Sequence, residues 1–173
     1  FEEIFSELVA IDERFSTYKE TSEVSRINRG EIGEADYSTD MKEVFVIAEE
    51  TRNETNGYFD IRKPDGQIDP SGVVKGWAIQ KIHDLLIEKG EENFMVDIAG
   101  DVATHGVNEE GKAWSIGIKN PFNQTEVVKI LYPNGYGVAN DFSNSSKPCL
   151  VTVRTSSASR CSARLARQKT PSG

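Results

Sequence analysis

Residues 69–78, which read DPSGVVKGWA, combine an acid, small residues and a lysine at the start of a predicted helix. Turn-favouring residues come first and apolar residues then recur at helical spacing, so we predict a helix from about Ser71 to Gly90. The free N–H groups and positive dipole end of a helix favour phosphate. Lys75 adds a full positive charge in the first turn. The pattern fits a phosphate-binding junction, and it also fits an ordinary capped amphipathic helix.

A second group of candidate side chains lies where an apolar strand is predicted to open into a turn. Asp97, Gly100 and Asp101 occupy this place, and carboxylates there either face a ligand or cap the turn. His83 and His105 have no second histidine or cysteine at metal-ligand spacing. We therefore expect both histidines to be structural or solvent-exposed.

Length and charge narrow the class of protein. The chain has 173 residues, 37% of them hydrophobic, which is enough for one core and about one domain. Acidic residues outnumber basic ones, 28 to 20, so we expect no nucleic-acid binding. No apolar run approaches the roughly 20 residues of a membrane span. We expect no signal peptide before Phe1. Cys149 and Cys161 form neither a disulfide framework nor a metal motif, so the sequence does not indicate the cellular compartment.

Hydrophobic periodicity predicts three helices followed by closely spaced strands. The first helix covers the start of the chain, the second is capped by Ser38 or Thr39 and stops before Gly57, and the third begins near Ser71. Strands are predicted at 58–62, 94–98, 114–118, 127–131 and 136–139, with turns at 64–66 and 108–111. This order indicates an α+β fold with helices packed on a mixed, largely antiparallel sheet.

Several segments taken together resemble one known family. They read FSTYKETSEVSRIN at 15–28, TNGYFDI at 55–61, FMVDIAGDVATHG at 94–106 and WSIGIKNP at 114–121, with DPSGVVKGWA between the second and third. In this order they resemble the FAD:protein FMN transferases, the flavin transferases long labelled thiamine biosynthesis lipoproteins. Each motif alone is common, but five in order are specific. The resemblance implies a flavin-transferase-like domain over residues 1–139.

The resemblance also implies a site for FAD. FAD presents an aromatic ring, a doubly charged pyrophosphate and an adenosine end, so its site needs aromatic, cationic and polar groups. Phe59 taken on its own is more typical of a core position than of a cofactor site, and Tyr18 also fits a residue that only covers the first helix. By resemblance, the residues that bind FAD are Tyr18, Tyr58, Phe59, Asp60, Asp69 and Lys75, and Gly72 takes the place where a backbone carbonyl reaches Mg²⁺.

The reaction implied by the resemblance is the transfer of FMN from FAD to a threonine hydroxyl of a target protein. Mg²⁺ assists and AMP leaves, so positioning and charge neutralisation do most of the work. The attacking hydroxyl belongs to the target protein, and we therefore expect no catalytic nucleophile in this chain. The expected partners are FAD and a target protein that carries the acceptor threonine. With water as the acceptor, the same site acts as an FAD pyrophosphatase.

After Ala139 the sequence departs from the family pattern. Family members continue with a His-Ile-x-x-Pro-x-x-Gly segment and a late Asp and Thr that hold magnesium, whereas this chain reads GVANDFSNSSKPC. A Met-Gly-Thr segment before the first helix is also missing, so we expect a fold incomplete at both ends. The alternative function is a flavin-binding or FAD-pyrophosphatase remnant without transferase activity. Residues 140–173 are basic and rich in Ser and Arg, and we expect them to be disordered or to come from a shifted reading frame.

Overall fold

A computed structural model of the chain describes residues 2–120, 122–133, 136–141, 149–154 and 163–165. The chain divides into two compact units, residues 1–85 (unit 1) and residues 86–173 (unit 2). The described part of unit 1 is helical, and that of unit 2 consists mainly of antiparallel strands. The predicted α+β class is confirmed.

Two of the helices of unit 1 begin after a serine whose hydroxyl caps them. The helices are α1 (Glu2–Phe15), α2 (Glu23–Asn28), α3 (Thr39–Glu54) and α4 (Ser71–Glu88), with a 3₁₀ turn at Glu34–Asp36 between α2 and α3. The Ser22 hydroxyl caps α2 by accepting from the Ser25 N–H at 3.0 Å, and Ser38 caps α3 by accepting from the Met41 N–H at 3.1 Å. Such caps satisfy N–H groups that have no partner within the helix. All three predicted helices are confirmed, and α4 begins at the predicted residue.

The core of unit 1 gathers apolar side chains from all four helices and from the loop before α4. The Phe15 and Trp77 rings meet edge to face, with their centroids 5.3 Å apart, a favourable arrangement for two aromatic rings. Among the described helices, none is both long and apolar enough to cross a bilayer. The buried residues of this core are Ile11, Phe15, Val24, Met41, Val44, Ala48, Ile61, Ile68, Val73, Trp77 and Ala78.

A network of charged side chains joins the helices of unit 1. Arg14 of α1 pairs with Asp40 of α3, and its Nε lies 3.6 Å from the Glu23 carboxylate of α2. The Nζ of Lys81 on α4 lies 3.0 Å from Asp40 and 2.8 Å from Glu7 of α1. These carboxylates are mostly shielded from water, so removing one partner would leave a poorly solvated charge. The network therefore links all four helices.

Unit 2 contains two antiparallel sheets. Five strands form one sheet in the order β1-β2-β5-β6-β7, and β3 and β4 form a two-stranded sheet. The described pairings between strands are all antiparallel, as predicted. The strands are β1 (Phe94–Ile98), β2 (Asp101–His105), β3 (Ile116–Asn120), β4 (Asn123–Leu131), β5 (Tyr136–Asp141), β6 (Cys149–Arg154) and β7 (Ala163–Leu165).

Several details of the sequence-based prediction differ from the structure. Residues 58–62 form a turn with a bridge at Arg62 and Ile68, not the predicted strand. The reason is local, because Thr55 Oγ1 accepts from the Phe59 N–H and an Asp60 oxygen accepts from the Arg62 N–H, and such bonds compete with a sheet ladder. The strand β2 was not predicted, and β3 begins two residues later than expected.

The predicted boundary after residue 139 falls inside a strand. The strand β5 continues to Asp141, and its pairing with β6 extends to Asp141 opposite Cys149. Two stretches of the predicted tail, β6 and β7, are thus strands in the sheet. The rest of the tail lies outside the described residues, where the expectation of disorder or a shifted reading frame stays a prediction.

Candidate functional site

Asp69 lies at the end of a small hairpin that leads into α4. The Asp69 N–H donates to the Ile61 carbonyl at 2.8 Å, and the Lys63 N–H donates to the Gln67 carbonyl at 2.8 Å. The tip is the predicted turn at 64–66, where Gly66 has a φ of 86°, a conformation that favours glycine. We call residues 61–69 the α4 entry loop. The loop fixes where the chain turns into the first residue of α4.

Both oxygens of the Asp69 carboxylate have partners within this junction. One oxygen accepts from the Ser71 hydroxyl at 2.7 Å and from the Ser71 N–H at 3.2 Å, and the other lies 3.1 Å from Lys63 Nζ. The hydrogen bond from the Ser71 hydroxyl is the main cause that lowers the pKa of Asp69. Partial burial raises this pKa, and Lys63 lowers it further. Hydrogen bonds to the charged form favour it. Asp69 is therefore an ionised cap on the start of α4.

The first two residues of α4 are exposed to solvent. Ser71 and Gly72 are exposed, while the N–H groups of Val73 and Val74 donate to the Pro70 carbonyl at 2.9 and 3.0 Å. Lys75 lies half-buried, four residues after Ser71. The start of α4 thus offers the positive end of a helix dipole, with a cation one turn further along, and together they favour an anion.

Gly72 is in contact range of an aromatic ring. A Cβ at Gly72 would stand 3.0 Å from the edge of the Phe59 ring, so a side chain at this position would displace that ring. Phe59 itself packs against the core of unit 1. Its neighbour Tyr58 is 90% exposed. Phe59 is thus partly buried beside Gly72 and Tyr58 is exposed to solvent, and the assignment of both to the FAD site stays a prediction.

Asp60 is held by two arginines. Its Oδ1 accepts from the Arg62 N–H at 2.9 Å, and its Oδ2 lies 2.9 Å from Arg52 Nε. The Arg62 backbone N–H is the main cause that lowers the pKa of Asp60, with both guanidinium groups acting in the same direction. Of the predicted residues, Phe59 and Asp60 directly precede the α4 entry loop, Asp69 is its last residue, and Gly72 follows it in the first turn of α4.

Tyr18 lies on a different segment. It follows α1 and is 96% exposed, and its N–H donates to Ser16 Oγ at 3.3 Å. An exposed aromatic ring is available for stacking but is not fixed by the core. The assignment of Tyr18 to the site stays a prediction.

Asn28 is a residue of this region that the sequence analysis did not single out. It is the last residue of α2, and its side-chain amide bonds to the backbone of Ile68 in the α4 entry loop. The signal available in the sequence was its place at the end of FSTYKETSEVSRIN, the first of the family-like segments. Lys63, the partner of Asp69, was missed as well.

The second acidic turn, in unit 2, is organised differently. An Asp97 oxygen accepts from the Gly100 N–H at 2.9 Å, so this carboxylate caps its own turn. The turn joins β1 to β2, with φ of 49° at Ala99 and 88° at Gly100, which is the backbone of a tight hairpin. Asp101 is buried. The structure therefore agrees with the interpretation that Asp97 caps its turn.

The two histidines are packed within their units. His83 is buried on α4, with its Nδ1 3.2 Å from an Asp84 oxygen. The His105 ring stacks on Phe94, with centroids 5.4 Å apart, and its carbonyl accepts from Trp114 Nε1 at 2.9 Å. Among the described residues, no group of three or more His, Cys, Asp or Glu side chains could hold a metal ion.

The chain matches the family model described as the ApbE family over residues 1–63 and 61–140, more than half of its length. The FAD:protein FMN transferase of Vibrio cholerae is 36% identical over 77 residues, which are 44% of this chain and 23% of that relative. The FAD:protein FMN transferase of Haemophilus influenzae is 32% identical over 78 residues, 44% of this chain and 22% of the relative. The matched part thus spans less than a quarter of these curated relatives.

Solved structures show a similar fold. The flavin transferase ApbE from Vibrio cholerae has a TM-score of 0.72 at 24% identity, with 84% of this chain and 63% of that chain covered. The apo form of the flavinyl transferase ApbE from Pseudomonas stutzeri has a TM-score of 0.70 at 19% identity, with 88% and 69% covered. These similarities confirm the predicted flavin-transferase-like fold over the covered part.

Proposed function

This chain belongs to the ApbE family, and from that premise we propose that it transfers FMN from FAD to a threonine hydroxyl of a target protein. The transfer depends on Mg²⁺ and releases AMP. The observation that carries the proposal is the family match itself, which extends over residues 1–63 and 61–140 and so includes every site residue named from the sequence. The curated relatives are themselves named FAD:protein FMN transferases.

The proposed reaction moves one phosphoryl group. The threonine oxygen forms a bond to the phosphorus on the FMN side, and the bond from that phosphorus to the bridging oxygen breaks. AMP leaves with the bridging oxygen, and the threonine proton passes to solvent. Such a transfer needs positioned reactants and neutralised charge more than a nucleophile from the enzyme.

The α4 junction supports this chemistry. Asp69 holds Ser71 and thereby fixes the start of α4, which aims its dipole at a bound pyrophosphate. Lys75, one turn further, supplies a full positive charge. The exposed rings of Tyr18 and Tyr58 are the aromatic surfaces proposed for the flavin. These roles follow the family resemblance and are part of the proposal.

Magnesium is the component that the described residues fit least well. They offer the Gly72 carbonyl and the nearby Asp69 carboxylate, and Asp69 already binds Ser71 and Lys63. A hard cation prefers near-octahedral coordination with several oxygen ligands. The described residues alone do not complete such a shell, so the proposed dependence on Mg²⁺ needs a direct titration.

The test is AMP release from FAD by the purified chain with increasing MgCl₂, measured by chromatography with water as the acceptor. Magnesium-dependent AMP release supports the proposed chemistry, and a purified candidate acceptor that becomes fluorescent at its threonine supports transfer. Quenched FAD fluorescence without AMP at saturating Mg²⁺ contradicts turnover and supports the flavin-binding alternative. If the chain unfolds cooperatively and shows neither AMP release nor a change in FAD fluorescence, both functions are contradicted.

A lysine pair tests the phosphate-binding turn. Lys75→Ala should weaken FAD binding about tenfold, because one charge-assisted contact to phosphate is lost. Lys42→Ala is the control, since Lys42 is exposed on α3. Lys81 is unsuitable as a control because it pairs with Glu7 and Asp40 and lies 4.9 Å from the centre of the Trp77 ring. Equal losses from Lys75→Ala and Lys42→Ala would place the phosphate elsewhere.

A further inference from the structure

We propose that Asn28 is a positioning residue for the pyrophosphate side of the flavin site. The inference rests on the proposed function, because it assigns Asn28 a role in presenting Asp69 and the start of α4 to FAD. Asn28 reaches that site through the backbone of Ile68, 40 positions away in sequence.

The contact is a two-point clamp. Asn28 Oδ1 accepts from the Ile68 N–H at 2.7 Å, and Asn28 Nδ2 donates to the Ile68 carbonyl at 3.0 Å. The two backbone groups fix the orientation of the amide, since the N–H needs an acceptor and the carbonyl needs a donor. The side chain thus takes the place that a neighbouring strand residue would occupy in an antiparallel pair.

Both ends of the clamp are firmly held. The base is α2, whose cap Ser22 and core residue Val24 are fully buried. The held residue, Ile68, buries its side chain in the core of unit 1 while its backbone meets Asn28. A clamp between two anchored segments restricts the path of the chain more than a contact between mobile groups.

The clamp acts on Asp69 through one peptide bond. Ile68 directly precedes Asp69, whose N–H bonds to Ile61 and whose carboxylate caps α4 through Ser71. A shift of Ile68 therefore moves the residue that fixes the first turn of α4. Displacements of about 1 Å at a positioning group can cost large factors in binding and rate.

The amide chemistry makes the proposal testable with isosteric changes. Asn28→Asp keeps the size and the acceptor but loses the donor to the Ile68 carbonyl, and Asn28→Ala loses both groups. Asn53→Asp is the matched control, because it makes the same change of charge at an exposed position of α3. The two Asn28 variants keep the test usable if one of them fails to fold.

The measurements are fluorescence titrations of the full chain with FAD and with riboflavin, which lacks phosphate. We expect each folded Asn28 variant to raise the Kd for FAD about tenfold and to leave the Kd for riboflavin within about twofold of wild type. Hydrogen exchange at the Ile68 amide should also accelerate. Asn53→Asp should behave as wild type in all three measurements.

The outcomes separate this inference from the function on which it rests. A folded Asn28 variant with wild-type affinity for FAD overturns the inference, as do equal losses for FAD and riboflavin, which would indicate a general structural role. A wild-type chain that binds neither flavin contradicts the proposed function, and the inference falls with it. A folded Asn28 variant that loses affinity for FAD and keeps its affinity for riboflavin supports both the inference and the proposed function.

Discussion

Two acidic turns in this protein hold their carboxylates in contrasting ways. Asp69, in unit 1, is supported from a distance, because its loop is clamped by Asn28 across 40 positions and its charge is paired with Lys63. Asp97, in unit 2, is supported by its own turn, since its partner is the Gly100 N–H three positions away. The first arrangement needs a folded unit, whereas the second needs little more than a hairpin.

The difference favours the Asp69 turn over the Asp97 turn for the proposed FAD site. A carboxylate that only caps its own turn has a sufficient structural reason to be there. Asp69 also caps, but the loop that carries it is fixed by side chains from α2 and from the loop itself, more support than a cap alone requires. Supporting contacts of this kind are what hold a functional group in position.

The largest effect is expected from creating a cavity in the core of unit 1. Met41 is fully buried between α3 and its neighbours, so Met41→Ala should lower the free energy of unfolding by about 2–5 kcal/mol. The measurement is urea denaturation followed by circular dichroism. Val46→Ala, at a position that is 58% exposed on the same helix, should stay within about 0.5 kcal/mol of wild type. Similar losses from both would contradict a core centred on Met41.

The next largest effect is expected from Asp69→Ala, which should differ from Asp97→Ala in its effect on FAD binding. Asp69→Ala removes the cap of α4 and should cost about 1–2 kcal/mol of stability, and it should also weaken FAD binding. Asp97→Ala removes one hydrogen bond to Gly100 and should cost about 1 kcal/mol with FAD affinity unchanged. Thermal unfolding and flavin titration of both variants give the comparison. If Asp97→Ala weakens FAD binding as much, the second turn also faces the ligand.

A smaller effect is expected from straining the second turn. Gly100 has a φ of 88° with no atom within 4 Å of an added Cβ, so Gly100→Ala should cost about 1 kcal/mol through backbone strain alone. Gly33 has equally open surroundings and an ordinary φ of −91°, and Gly33→Ala should be neutral or slightly stabilising. Differential scanning calorimetry measures both changes. A neutral Gly100→Ala would show that the hairpin tolerates another turn geometry.

The smallest effect is a dependence of stability on acid pH. The pKa of Asp69 is lowered in the folded chain, mainly by the Ser71 hydroxyl. The unfolded state therefore binds this proton first, so the stabilisation is complete above the ordinary Asp pKa of about 3.9 and is lost as the pH falls through the folded value. Asp69→Asn should flatten the fall in stability between about pH 5 and pH 2.

Lys63→Gln sharpens that measurement. It removes the weaker of the two favourable partners of Asp69 and leaves the Ser71 hydroxyl in place. Urea unfolding across the same pH range should then show a slope between those of wild type and Asp69→Asn. A slope equal to that of Asp69→Asn would make Lys63 the dominant partner.

Local patterns were sufficient for most elements of the fold. Apolar spacing and capping hydroxyls predicted α1, α3 and α4, and turn residues predicted the hairpin tip at 64–66. The prediction of a strand at 58–62 was wrong because Thr55 and Asp60 bind the backbone there in place of a neighbouring strand. Pattern and propensity do not show which backbone group a polar side chain will bind.

The sequence by itself determined three of the helices (α1, α3 and α4), the antiparallel character of the strands and the family, because these depend on spacing within short segments and on the order of motifs. Only the tertiary structure decided which side chains support them. The Asn28 clamp on Ile68 and the contact of Lys81 with Asp40 span 40 and 41 positions. Contacts at such separations form only when the packed core brings their segments together, and no periodicity in the sequence encodes that path.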